Sequence, residues 1–196
     1  MGLLLDAAIA WNDLSNISYV IDVVKNRKKE QIELTFLSED FPHLAGMQYA
    51  TDVDFGVRKA EYYGGKLIPI LLNKRIDDSR IEKGQNWDQI SGRLSAIINL
   101  QNILDNDFKI VSFNKYKVRG YCTIDADFLI KSEISKDIYF VFFDKESGRH
   151  YCRSAFRKSI KDYTENQTPV IVLQKIKIVK DIPKTLFLKP GFDPNI

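Results

Sequence analysis

The sequence predicts an α+β fold in which N-terminal helices and a hairpin precede an antiparallel sheet of about four to five strands. Residues 138–143 are apolar on both alternating faces, which is typical of a central strand covered above and below. Residues 124–130 alternate between apolar and acidic side chains and predict a neighbouring strand with one apolar face. Residues 144–148 end in Gly148, which tolerates positive φ and predicts the turn of a hairpin.

Length and composition favour a single domain spanning residues 1–196. A chain of 196 residues can bury one core and is short for two domains of ordinary size. Hydrophobic residues make up 44% of it, which excludes a disordered chain. The apolar runs are far shorter than the roughly 20 residues of a membrane helix, and residues 1–6 lack the pattern of a secretory signal. We therefore expect a cytoplasmic protein without membrane contact.

The N-terminal half contains the predicted helices and the hairpin. Apolar spacing predicts a helix over residues 3–15, and period-two alternation predicts strands over 17–24 and 31–37. The charged run between these strands, residues 25–30, predicts a hairpin loop that is either a solvated tip or a phosphate contact. A short helix capped by Ser38 or Asp40 follows, with Pro42 in its first turn.

Two further helical segments complete this half. Residues 57–72 combine helical spacing with glycines and Pro69, which predicts a broken helix. Residues 88–106 carry one continuous apolar stripe and predict the most regular helix of the chain, with Arg93 beside the stripe.

The C-terminal half supplies most of the sheet. Residues 108–113 and 169–179 predict its first and last strands. The strand beginning at Arg149 either ends near Ser154, with a short helix over 156–163, or continues further; the pattern leaves both open. Three of the six prolines lie within residues 182–196, which predicts an extended C-terminal tail.

Composition and motif content exclude several classes of site. The formal charge of +3 is only weak support for a nucleic-acid partner. Nucleotide-binding glycine loops, the serine-hydrolase motif and His-Glu-x-x-His are absent. Cys122 and Cys152, with two histidines, are too few and too dispersed for a zinc site. Asp125 and Asp127 share a predicted strand face and are either a magnesium site or solvated acids. We expect neither a metal nor a cofactor.

The remaining candidates are residue types that cleave RNA without a metal. The 2′-hydroxyl of RNA is an internal nucleophile, so the protein supplies only a base, an acid and cations for the charged transition state. His43 titrates near neutrality and is a candidate base or acid. Arg93, Arg153 or Arg157 can bind phosphate through two N–H groups, and Ser154 can position an oxygen.

Each of these residues also has a structural interpretation. His43 follows a proline in a helical turn, where histidine commonly forms structural hydrogen bonds, and Arg93 can pair with an acid. Three arginines form a stripe that is either solvated or substrate-binding: Arg149, Arg153 and Arg157. Three tyrosines either stack on bases or pack with their hydroxyls at the rim: Tyr116, Tyr151 and Tyr163.

The segment 36–47, which contains His43-Leu44-Ala45-Gly46, resembles the Phe-x-His-Leu-x-Gly-Leu motif of a phage-associated subfamily of predicted nucleases. That subfamily belongs to the barnase, EndoU, colicin and RelE-like group, abbreviated BECR. The resemblance covers residues 32–178. Further matching segments occur in the subfamily's order: Arg93-Leu94, residues 124–130, residues 139–142 and residues 153–156.

The resemblance implies an α+β fold with an antiparallel sheet and a metal-independent RNase, often in phage conflict or toxin settings. RNA is then the expected ligand, and a protein inhibitor or another protein partner is possible besides it. The motifs match at the candidate catalytic positions: His43, Arg93, Asp127 and Ser154. Arg149, Arg153, Arg157 and Tyr163 are the candidate substrate-binding residues. Two places depart from the pattern, Ala155 where an aromatic is expected and the loosely matching residues 47–49.

The sequence is therefore compatible with three functions. The first is a metal-independent endoribonuclease or toxin-like effector. The alternative is a non-catalytic module of the same fold that binds nucleic acid or protein, and it predicts salt-sensitive binding without cleavage. The third is a structural or regulatory phage protein that contacts only proteins, for which a large exposed apolar patch is the expected sign.

Overall fold

The computed structural model describes residues 2–56, 58, 65–146 and 148–194. It shows an α+β fold made of an N-terminal helix and one large curled sheet of nine strands. The predicted fold class is confirmed. The prediction of about four to five strands was too low, and the sheet is mixed instead of wholly antiparallel. Among the residues described, none of the helices has the length and hydropathy needed to cross a bilayer.

The described residues form five α-helices: α1 (Leu3–Leu14), α2 (Phe41–Leu44), α3 (Leu67–Leu72), α4 (Trp87–Ile98) and α5 (Leu100–Asp105). Short 3₁₀ helices occupy Met47–Tyr49, Asp78–Lys83 and Lys115–Lys117. Helix α1 buries the apolar stripe that its spacing predicts. Trp11 belongs to this stripe and is fully buried against Phe36 and Phe41. Helix α1 therefore packs its apolar side into the core, while Asn12 and Asp13 stay exposed.

The long helix predicted over residues 88–106 is two helices that meet at Asn99. The Asn99 side chain donates to the Ser95 carbonyl over 2.9 Å and contacts the Tyr139 hydroxyl at 3.3 Å. A side chain that hydrogen-bonds the preceding turn competes with the continuing helix. The apolar stripe runs through both helices, so the hydrophobic period does not reveal the interruption.

The nine strands are β1 (Ile17–Lys25), β2 (Lys28–Leu34), β3 (Lys109–Ser112), β4 (Phe128–Ile134), β5 (Asp137–Glu146), β6 (Arg149–Arg157), β7 (Thr168–Pro169), β8 (Ile171–Val179) and β9 (Ile182–Leu188). Their order in the sheet is β7-β3-β4-β5-β6-β2-β1-β8-β9. Neighbouring strands are antiparallel except β2 and β6, which are parallel and register through Leu34 and His150 alone.

Three hairpins close with two-residue turns that contain no glycine. Both turn residues have positive φ in each case: Asn26 and Arg27, Ser135 and Lys136, Lys180 and Asp181. Such primed turns match the right-handed twist of the strands they join. The expected loop over residues 25–30 is therefore a two-residue turn, and most of its charged residues belong to β2.

The sheet curls because residues 168–179, which form β7 and β8, pair with strands near the two opposite ends of the sheet. Strand β7 pairs with β3. Strand β8 follows after a single residue and pairs with β1. Val170 lies between them, and its N–H donates to the Ile110 carbonyl over 3.1 Å. The same stretch thus connects opposite ends of the strand order.

Several boundaries differ from the sequence-based expectation. Strand β4 begins at Phe128, so Asp125 and Asp127 do not share a strand face, and Asp125 pairs instead with Lys115 at 2.6 Å. Strand β6 continues to Arg157, which rules out a helix starting at residue 156. The segment expected to be an extended tail begins with β9, paired in register with β8. Of the predicted broken helix, residues 57 and 59–64 lie outside the described residues.

The two faces of the sheet carry separate hydrophobic clusters. The larger cluster packs α1, α3, α4 and α5 against one face, and the smaller one surrounds Phe140 and Phe142 on the other. Beyond His150, no strand formed by the described residues pairs with β6 on the side of β2. Helix α4 fills this gap, and Gly92 brings it close enough that an added Cβ would lie 3.9 Å from the Arg157 nitrogen. The split between β2 and β6 is where the candidate site forms.

Candidate active site

A β-bulge in β6 sets which side chains face the site. The register with β5 shifts so that Phe142 is opposite Ser154 while Phe143 is opposite Cys152, which leaves Arg153 as the extra residue. Ser154 therefore faces the smaller cluster, beside Phe156, and Arg153 is exposed. Ala155 faces the larger core and is fully buried, so its departure from the family motif removes no group from the site.

Arg93 of α4 is the charged centre of this arrangement. It is only 9% exposed, and its Nη1 donates to the Ser154 hydroxyl over 3.4 Å. The guanidinium carbon lies 5.2 Å from the centre of the Tyr49 ring and 6.0 Å from that of Phe156. Burial lowers the pKa of Arg93 from its usual value, and contacts with Tyr49 oppose that shift.

The partners of Arg93 are neutral side chains. Among the described residues, no carboxylate forms an ion pair with it, and the groups that oppose the effect of burial on its pKa are Tyr49, Cys152 and Tyr163. Burying a cation without an anion is costly, so such sites are usually completed by a bound anion. Arg93 lines an open cavity, from which an anionic group can reach it.

His43 lies close enough to Arg93 and Arg153 for both charges to act on it, but it is not among the residues that line the cavity beside Arg93. Phe41, Pro42 and Leu44 of α2 are buried, which leaves His43 as the exposed residue of that turn. Desolvation by its neighbours lowers the pKa of His43 first, and the charges of Arg93 and Arg153 lower it further. A hydrogen bond to the backbone of Arg153, at the bulge, opposes the shift. The lowered pKa favours the neutral form of His43, which can accept a proton.

Gly46 explains why the motif pairs a histidine with a glycine three residues later. It follows α2 in the left-handed region, with φ of 80°. A Cβ at this position would lie 3.0 Å from Cδ of Arg93 and 3.4 Å from Tyr49. The absence of a side chain thus allows both the turn after His43 and the passage of Arg93 toward Ser154.

Replacing Gly46 with alanine is expected to destabilise the protein by about 1–3 kcal/mol and to displace Arg93, because positive φ and the short Cβ contact both oppose a side chain. Urea unfolding measures the loss. Gly148→Ala is the matched control, since Gly148 has φ of 88° and open space where its Cβ would lie. An equal loss in both variants would show that Gly46 is needed only for its backbone conformation.

A cavity of about 480 Å³ opens beside Arg93. Aromatic side chains form much of its wall, with Tyr49, Phe156 and Tyr163 near the arginine. Arg157 lines it as well and has an exposed contact of 3.6 Å with Asp137. Cations beside aromatic faces are suited to a ligand that has both phosphate and base.

The other predicted binding residues divide into two groups. Arg157 and Tyr163, which are both predicted substrate-binding residues, line the same cavity. Arg149 instead contacts Asp40 at 3.3 Å and lies over the Tyr151 ring. Arg153 is exposed on the bulge, where its guanidinium contacts the Tyr151 hydroxyl at 3.2 Å. Its positive charge also lowers the pKa of His43.

Asp127 lies apart from this group. It lines a second cavity of about 290 Å³ together with His150, Lys25 and Lys145. His150 is buried there, and its Nδ1 accepts the Glu33 N–H over 3.3 Å. The described hydrogen bonds thus join Arg93 to Ser154 and His43 to the backbone of Arg153. Asp127 lies elsewhere, and the catalytic roles of His43, Arg93, Ser154 and Asp127 all stay predictions.

Sequence reasoning missed Tyr49 as a site residue. Its ring contacts Arg93 and lines the cavity, and it lies in the 3₁₀ helix directly after Gly46. An aromatic three residues beyond the glycine of the motif was the available signal. Within the described residues, no group of three or more His, Cys, Asp or Glu side chains is arranged to hold a metal ion.

Comparison with known proteins identifies a family for this chain. The family model described as phage-Barnase-EndoU-ColicinE5/D-RelE like nuclease4 matches residues 3–189, nearly the whole chain and more than the predicted residues 32–178. Neither the curated proteins nor the solved structures contain a match. The matched span includes both ends of the sheet and every residue of the candidate site.

Proposed function

Because the chain belongs to the phage-Barnase-EndoU-ColicinE5/D-RelE like nuclease4 family, we propose that it is an endoribonuclease that cleaves RNA without a metal ion. Family membership supports nuclease activity on a nucleic acid. The observation that carries the finer proposal is Arg93, a buried cation that faces a cavity and has no carboxylate partner among the described residues. A phosphodiester supplies the missing anion.

In the proposed reaction, the neutral imidazole of His43 removes the proton of the 2′-hydroxyl. The resulting oxygen attacks the adjacent phosphorus, and the bond from phosphorus to the 5′-oxygen breaks. The leaving oxygen takes a proton from solvent or from a tyrosine hydroxyl of the cavity, Tyr49 or Tyr163. The products are a 2′,3′-cyclic phosphate and a 5′-hydroxyl.

Arg93 stabilises the charge that develops on the non-bridging phosphate oxygens. A preorganised donor in a partly dehydrated site is effective because it needs little rearrangement during the reaction. Ser154 acts through Arg93, since its hydroxyl accepts a hydrogen bond from the guanidinium and restrains its direction. Ser154 is therefore a positioning residue in this proposal.

The same chemistry suits a toxin-like effector, because uncontrolled RNA cleavage harms the cell in which it occurs. A protein inhibitor that covers the cavity is then the partner we propose. The basis for this extension is the family, whose description includes the toxin-related colicins E5 and D.

Incubating the purified protein with total RNA in excess EDTA tests the proposal. We expect cleavage to fragments that end in a 2′,3′-cyclic phosphate or its 3′-phosphate hydrolysis product, because the 2′-oxygen attacks the phosphorus. Mass spectrometry of the fragment ends is the measurement, and RNA with 2′-O-methyl groups is the matched control that should stay intact.

Cleavage that requires added Mg²⁺, or ends that carry a 5′-phosphate, would contradict the metal-free mechanism. Intact RNA with well-folded protein would favour the alternative of a module that binds without cleaving.

A further inference from the structure

We propose that the surface beside the cavity binds single-stranded RNA and presents an unpaired base to the site. This surface comprises residues 115–121 and 158–161 and is called the track below. The inference rests on the proposed function, to which it adds the structural class of the RNA. Its evidence is exposed aromatic rings, charge and continuity with the cavity.

The track exposes two aromatic rings, one of which, Tyr116, has the Lys115 ammonium 5.4 Å from its centre. Tyr116 is 86% exposed and Tyr121 is 87% exposed, whereas the rings on the cavity wall are half-buried. Tyr121 also lines the cavity, so its ring lies where an RNA strand would enter. An exposed aromatic ring offers a face on which a base can stack.

The charge of the track is strongly one-sided. Its two segments contain five basic and no acidic residues, although the whole chain has a formal charge of only +3: Lys115, Lys117, Arg119, Lys158 and Lys161. Acids outside the track pair with two of them, Asp125 with Lys115 at 2.6 Å and Asp162 with Lys158 at 3.5 Å. Lys117 and Arg119 stay exposed. This distribution suits the phosphate backbone.

Hydrogen bonds hold the track in shape. Lys161 Nζ donates to the Tyr121 carbonyl over 2.9 Å, which joins the two segments. The Asn114 side chain accepts the Tyr116 N–H over 3.0 Å and so caps the turn. Gln167 in turn accepts the Asn114 N–H over 2.8 Å and donates to its carbonyl over 3.1 Å. A surface ordered before binding loses less entropy when RNA binds.

The track continues directly into the candidate active site. Tyr121 and Ser159, one from each segment, line the same cavity as Arg93 and Arg157. Bases within a duplex are stacked on one another and cannot reach isolated protein rings, whereas unpaired bases can. Exposed rings at the entrance and an aromatic wall within therefore select RNA with unpaired bases.

Binding by the full-length His43→Ala protein tests the inference without cleavage. The probes are a fluorescent unstructured RNA of about 12 nucleotides and a duplex of equal length. Replacing Tyr116 and Tyr121 together with alanine should weaken single-strand binding about ten-fold or more and change duplex binding little. Phenylalanine at both positions should restore single-strand affinity, because it keeps the rings.

Charge is tested by replacing Lys117 and Arg119 with alanine. We expect weaker binding and a shallower dependence on salt, because fewer counterions are released. The matched control replaces Lys184 and Lys189, which are exposed on or beside β9 and outside the track. If both double replacements weaken RNA binding equally, the track is not the binding surface, and the attraction to RNA is nonspecific.

Two outcomes separate this inference from the function on which it rests. If the wild type cleaves RNA but the alanine variants at Tyr116 and Tyr121 bind single strands normally, the track is wrong and the nuclease proposal stands. If the protein neither binds nor cleaves RNA, both proposals fail.

Discussion

Replacing His43 with alanine is expected to lower the rate of RNA cleavage by about 10²–10⁴-fold, the usual contribution of a positioned general base. The side chain is exposed at the end of a short helix, so the fold should be little affected. Single-turnover cleavage in EDTA measures the rate, and urea unfolding checks that stability is matched. A variant that cleaves at the wild-type rate would remove His43 from the mechanism.

The pH dependence gives an independent test of the same residue. Partial desolvation by its neighbours and the charges of Arg93 and Arg153 lower the pKa of His43 from its usual value of 6.5, and the base is active when neutral. Cleavage should therefore rise with pH through a midpoint below 6.5, and this acidic limb should be missing in the alanine variant.

Arg153→Gln sharpens that test. Removing one nearby positive charge makes protonation of His43 easier, so the midpoint should move upward, toward 6.5. Lys184→Gln removes an equal charge from the exposed β9 strand and should leave the midpoint unchanged. If the midpoint of the pH profile is the same in Arg153→Gln as in the wild type, a group other than His43 titrates.

Replacing Arg93 with methionine is expected to lower the cleavage rate by about 10²–10³-fold or more while stability stays equal or rises. The activity falls because the phosphate loses its donor. Stability should not fall, because the buried cation lacks a carboxylate partner among the described residues and methionine fills similar space. Cleavage and urea unfolding, measured on the same preparation, test both parts.

Two further variants separate charge from geometry. Arg93→Lys keeps the charge but loses the planar group that can contact both Ser154 and a phosphate, so most activity should still be lost. Ser154→Ala keeps the guanidinium and removes only its restraint, and a smaller loss is expected. If methionine and lysine both unfold the protein, Arg93 holds the fold and the assignment fails.

Local patterns predicted the elements whose residues interact nearby in sequence. The stripe containing Ile90 and Leu94 predicted helix α4, and the apolar run at residues 138–143 predicted the central strand β5. The motif around His43 and Gly46 also depends on a single turn of chain, since Gly46 needs positive φ directly after α2. For that reason the family resemblance could be recognised from the residues themselves.

The undercounted sheet has a local cause. Hairpins are most readily recognised from Asn-Gly or Asp-Gly turns, whereas the hairpin of β8 and β9 uses Lys180-Asp181 in the same conformation. The expected tail at residue 182 was consequently assigned no strand. Asp125 and Asp127 alternate as a strand would, yet they belong to the segment that covers the smaller cluster.

The sequence by itself determined the fold class, the main helices and central strands, and the residue types suited to a nuclease. Tertiary structure decided which of them meet. Arg93 and Ser154 are 61 residues apart and come together because α4 fills the gap that β2 leaves along β6. The parallel pairing of β2 with β6 joins residues more than 100 positions apart, from Leu34 to His150. Local periodicity describes which side of an element is apolar, but the partner of that side depends on packing across the whole chain.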